Sequence, residues 1–122
     1  MDGEEIVFKL KADFLKALAH PLRLAMIEQL KNGEKSVGQL VSALNVEQSS
    51  ISKHLAILRQ VGILHSRQDK ATVYYAVRDA DIFNVLRPIT DILGKKLRES
   101  KKILAHLGKH HALKKAVGGR SS

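Results

Sequence analysis

The stretch Glu47–Leu58, EQSSISKHLAIL, decides how this chain is read. Ile51, Leu55 and Leu58 recur at i, i+4 and i+7, the stripe of an amphipathic helix. Ser49, Ser50 and Ser52 crowd its first turns, although serine competes with helical hydrogen bonds by bonding to nearby backbone groups. A helix that only had to pack and stay dissolved would carry Ala, Glu and Lys there. Short hydroxyls beside Gln48 and Lys53 suit a face that lies close against something polar.

Working upstream, Ser36-Val37-Gly38-Gln39 has the S-x-x-Q spacing of a capping box and opens a short helix to about Leu44. Asn45 stands where the chain must turn, and asparagine tolerates the left-handed conformation. Before that, Pro21 fits the first position of a helix that stops at Asn32-Gly33. An earlier helix is expected over Ile6 to Ala19, with Phe14, Leu15 and Leu18 as its apolar face.

Downstream, Gly62 is placed to end the quoted helix, and the period changes to two. Ile63–Gln68 and Thr72–Val77 read as a hairpin turned at Asp69-Lys70-Ala71. Asp79 is expected to cap a helical region running to about Leu107, with a kink or break at Pro88. Phe83, Leu86, Ile89, Leu93, Leu97, Leu104 and Leu107 approximate one apolar stripe, longer than one small core can cover. Residues 1–107 thus read as one domain, and residues 108–122 as a basic flexible tail.

The order of elements is that of a winged helix-turn-helix: mainly α with a small β-hairpin, the second helix of the pair lying in the DNA major groove. On that reading Gln48, Ser49, Ser50, Ser52 and Lys53 meet bases and phosphates, with glutamine able to pair bidentately with adenine. His54 either touches a phosphate or holds the motif together. Dimerisation through the first and last helices, by Phe14 and the stripe from Phe83 to Leu97, would match palindromic half-sites.

Composition agrees and excludes alternatives. Of the net charge of +9, residues 95–122 hold nine Lys/Arg against one Glu, which points to a polyanionic partner. With no Cys there are no disulfides and no thiolate metal sites. No apolar run suits a membrane span and no signal-peptide pattern opens the chain, so a cytoplasmic protein without membrane partners is expected. Two Tyr, three Phe and no Trp do not make a single-strand stacking platform. No nucleophile–base constellation or phosphate loop can be placed, so neither an enzyme nor a bound cofactor is expected. His106 and His110 have i, i+4 spacing, but Gly108 and Lys109 between them weaken a metal reading.

The segments ALAHPLRLAMIEQL (17–30), VGQLVSALNVEQSSISKHLAIL within 37–58, RQVGIL (59–64) and TVYYAV (72–77) together resemble the ArsR/SmtB family of bacterial winged-helix repressors. The resemblance spans half the chain. It implies a homodimeric repressor released from operator DNA by an inducer, whose identity the residues do not reveal. It also implies DNA contacts from Val37, Gln48, Ser49, Ser52 and Lys53, and from Arg67 and Lys70 on the wing. The family's metal sites are departed from: one needs Cys, and the other would find Ile92 and Lys95 at its later ligand positions, despite Asp79 and Asp81 at the start. The alternative is a DNA-architectural protein that grips through the basic C-terminal segment without sequence preference.

Overall fold

The computed structural model describes residues 2–107. These cluster into two units, one through Ala80 and one from Asp81 onward. Gly108, Lys109, His110 and the basic tail of 108–122 lie outside the described residues.

The first unit holds helices α1 (Gly3–Leu18), α2 (Pro21–Gln29), α3 (Val37–Leu44) and α4 (Gln48–Gln60), with strands β1 (Lys35–Ser36), β2 (Leu64–Asp69) and β3 (Thr72–Val77). Helix α1 begins three residues earlier than expected. Asp2 caps it, accepting from the Glu5 N–H at 2.9 Å, and Glu4 and Glu5 oppose the positive end of the helix dipole. In α2, Pro21 occupies the first turn as expected, and the His20 Nδ1 accepts from the Leu22 N–H at 3.1 Å to serve as the cap.

The capping box on α3 forms as its spacing predicts. The Gln39 N–H donates to Ser36 Oγ at 3.2 Å, and the Ser36 N–H donates to Gln39 Oε1 at 2.9 Å. Asn45 ends the helix in the left-handed region, φ 52° and ψ 50°. Helix α4 closes with a Schellman motif. The Gly62 N–H donates to the Arg59 carbonyl and the Ile63 N–H to the Leu58 carbonyl, both at 3.0 Å, with Gly62 at φ 82°. Ile63 is thereby drawn out of the strand, so β2 starts at Leu64. The hairpin turns tightly at Lys70-Ala71, Lys70 adopting φ 58°.

The sheet has three strands in the order β1-β3-β2, all antiparallel. Strand β1 was not expected: a two-residue strand has no periodicity to betray it. Its pairing of Lys35 with Tyr75 and Ser36 with Tyr74 joins the wing to the root of α3. The core under this frame is Met26 and Ile27 of α2, Leu40 of α3, Ile51, Leu55 and Leu58 of α4, and Leu64 of β2, each fully enclosed.

The second unit is helix α5 (Ile82–His106). It starts later than an Asp79 cap would place it. Asp81 holds the N-cap position in a helical conformation and accepts from Asn84 Nδ2 at 3.1 Å. Pro88 does not split the region, which continues as one helix through it. No helix among the described residues is long and apolar enough to cross a membrane.

Candidate nucleic-acid interface

Helix α4 is pinned on one side and open on the other. Ile51, Leu55 and Leu58 enter the core, while Gln48, Ser49, Ser52 and Lys53 are exposed together on the opposite face. Ser50 falls at the margin, half-buried. Ala56 and Arg59 continue the exposed face, at i+8 and i+11 from Gln48. The sequence reading missed both, although helical spacing alone would have found them. Val37 is half-buried at the first position of α3.

At its start α4 lacks a side-chain cap, since Glu47 makes no capping hydrogen bond. The amides of a helix's first turn have no intrahelical acceptor, and with the helix dipole they favour an anion. Next to Gln48, Ser49, Ser52 and Lys53, those amides make a polar surface able to meet both base edges and phosphates.

His54 requires a correction as a DNA-facing candidate. It is only 8% exposed, and its Nδ1 accepts from Arg23 Nε at 3.0 Å. Arg23 Nη1 also donates to the Ala17 carbonyl at 3.1 Å, so one guanidinium ties the end of α1 and the start of α2 to α4. The His20 ring lies 4.4 Å from that of His54, tilted by 47°. Because Nδ1 accepts, neutral His54 carries its proton on Nε2. Burial lowers its pKa, and the positive surroundings of His20, Arg23 and Lys53 lower it further. His54 therefore sets the position of the exposed face instead of belonging to it.

On the wing, Lys70 is exposed at the turn. Arg67 is exposed but engaged: its Nε donates to Glu34 Oε2 at 2.8 Å, its Nη2 donates to Glu34 Oε1, and its guanidinium lies 4.8 Å from the Tyr74 ring centre. Tyr74 and Tyr75 are half-buried, consistent with packing. His106 is exposed at the end of α5, and His110 lies outside the described residues. Among the described residues, no group of three or more His, Asp or Glu is arranged to hold a metal ion.

Of the residues expected at a dimer contact, Phe83 and Leu86 are half-buried, and Phe14, Ile89, Leu93 and Leu97 are exposed. Helix α1 adds Ile6, Val7, Phe8 and Leu10, exposed large apolar residues that the sequence reading did not single out.

With this geometry in place, comparison with known proteins is specific. Residues 20–66 match the model of the bacterial regulatory protein arsR family. An uncharacterised HTH-type transcriptional regulator of Mycobacterium tuberculosis, Rv0081, is 35% identical over 104 residues, covering 84% of this chain and 91% of the relative. Its crystal structure superposes with a TM-score of 0.70, over 77% of this chain and 95% of that one. The crystal structure of the transcriptional repressor BigR of Xylella fastidiosa gives a TM-score of 0.60 at 32% identity, over 73% and 96% of the two chains. A homodimeric winged helix-turn-helix DNA-binding domain of Mycobacterium bovis shares the fold, with a TM-score of 0.72 at 22% identity over 81% and 92%. The fold, the open face of α4 and these likenesses agree: the chain belongs to the ArsR family of bacterial regulatory proteins, DNA-binding transcriptional regulators and not enzymes.

Proposed function

We propose that this chain is a cytoplasmic, homodimeric repressor that reads an inverted-repeat operator through α4 and lacks the family's usual metal sites. One observation carries the reading. Gln48, Ser49, Ser52 and Lys53 stand exposed together on a helix whose other face is locked by Ile51, His54, Leu55 and Leu58. A rigidly held polar face is what base readout requires, because hydrogen bonds to base edges discriminate only when the donor cannot drift. Lys70 at the wing turn would contact phosphate beside the groove.

Homodimerisation is supported by the exposed apolar residues of α1 and α5 and by the homodimeric state of the M. bovis domain of the same fold. The absence of Cys, with Ile92 and Lys95 at the later positions of α5, supports the loss of metal sensing. Repression is supported by the likeness to BigR. On this reading residues 1–107 act together as the DNA-binding and dimerising part.

Selection of sites from a random duplex library tests it. Recovery of an inverted repeat, with binding lost in Gln48→Ala and Ser52→Ala, is the expected outcome. Enrichment of no sequence would overturn it in favour of charge-driven binding.

A further inference from the structure

The Arg67–Glu34 pair occupies a defined place in the sheet. The register sets Ser36, Tyr74 and Arg67 in one row across β1, β3 and β2. Side chains in such a row share a face, so Arg67 lies beside Tyr74, and its guanidinium rests over the ring. From there it reaches past the central strand to Glu34, which immediately precedes β1. The contact is two-pronged, with Nε on one carboxylate oxygen and Nη2 on the other.

This is the geometry by which one edge of a guanidinium binds either a carboxylate or a phosphate, so Glu34 on the Nε/Nη2 edge excludes a phosphate from that edge. The hydrogen bond from Arg67 holds the Glu34 carboxyl below its ordinary pKa, and Glu34 raises that of Arg67. Both groups are charged at neutral pH and nearly cancel. Displacing Glu34 by DNA would also leave a bare carboxylate beside the polyanion.

We propose that Glu34 is an intramolecular stand-in for a DNA phosphate: by holding Arg67 over Tyr74 it withholds that cation from the duplex and limits affinity. The wing's contribution to phosphate binding then falls to Lys70, and Arg67 is a positioning residue that fastens β2 across β3 to the entry of α3. The inference rests on the DNA-binding reading but not on sequence specificity, so it can be tested on a duplex of random sequence.

The experiment measures duplex affinity against salt concentration for the unaltered chain, Glu34→Gln, Arg67→Gln and the double variant, each checked by thermal melting. The logarithm of affinity falls with the logarithm of salt by about 0.9 per phosphate neutralised. Arg67→Gln is expected to leave the slope unchanged. Glu34→Gln is expected to tighten binding severalfold and steepen the slope by about 0.9, one added phosphate contact. The gain should vanish in the double variant. A slope flattened by Arg67→Gln would overturn the proposal, since Arg67 would already be on a phosphate. So would a gain that persists in the double variant, which would be bulk charge, or a Glu34→Gln protein that binds more weakly without steepening. Failure of the unaltered chain to bind any duplex would remove the DNA-binding reading itself.

Discussion

Helices α4 and α5 are written in the same alphabet and end in different surroundings. Both place apolar residues at three-and-four spacing with polar residues between. In α4 Ile51, Leu55 and Leu58 are fully enclosed, and even His54 is buried with a hydrogen-bond donor. In α5 only Ile82 is buried, while Ile92, Leu93 and Leu97 remain 62%, 58% and 57% exposed. Amphipathic spacing records that a face wants cover, not which chain supplies it. The core of the first unit covers α4, whereas the α5 stripe stays exposed, and on the proposed reading a second copy covers it. The polar faces differ for the same reason. That of α4 is small and hydroxyl-rich, suited to close approach, and that of α5 is crowded with Lys and Arg.

The sharpest way to break this contrast is to truncate matched leucines. Leu55→Ala should cost about 2–5 kcal/mol in urea unfolding, because a fully enclosed side chain leaves a cavity. Leu97→Ala, at concentrations low enough to hold the chain monomeric, should change stability by no more than about 0.5 kcal/mol. Equal costs at low concentration would abolish the distinction.

Next, Leu93→Glu together with Leu97→Glu should weaken self-association by about 3 kcal/mol, on the order of a hundredfold, by placing unpaired charges in an apolar contact. Sedimentation equilibrium reads the shift. An unchanged mass would show that α5 is not the interface.

Helix starts offer a smaller contrast within the first unit. Ser36→Ala removes the cap of α3 and should cost about 1 kcal/mol, whereas Glu47→Ser supplies the cap that α4 lacks and should gain up to about 1 kcal/mol. Chemical denaturation measures both. If the added cap alters duplex binding beyond the change in Glu47→Gln, which removes the same charge, the first-turn amides of α4 are engaged by DNA.

The smallest expected effect is on pH dependence. His54 has its pKa lowered by burial, so the unfolded chain binds its proton first as pH falls. The stability it contributes is complete above the unfolded value of 6.5 and declines as pH drops through 6.5 toward the folded value. Melting temperature should therefore fall with acid over that range, and His54→Gln should flatten the fall. An identical profile in the variant would show that His54 does not titrate as its burial implies.

Much of the fold was legible because it is encoded within a few residues. The Ser36–Gln39 box, the left-handed Asn45, the Gly62 terminus and the tight turn at Lys70 all close hydrogen bonds or dihedrals locally. Their order along the chain is enough to name a winged helix-turn-helix. The exposed polar face of α4 was legible for the same reason: helical spacing separates Gln48, Ser49, Ser52 and Lys53 from Ile51 and Leu55.

What stayed hidden depends on residues far apart in the chain. Arg23 and His54 are 31 positions apart, and only packing α2 against α4 turns the histidine from a possible phosphate contact into a buried acceptor. Glu34 and Arg67 are 33 apart and meet because β1, too short to show a period, pairs with β3 and brings the loop before it to the wing. Sequence pattern decides which side chains can face one way, since that follows from the rise and turn of one element. Which of them find a partner, and so which charges remain for DNA, follows from long-range contacts that only the assembled fold creates.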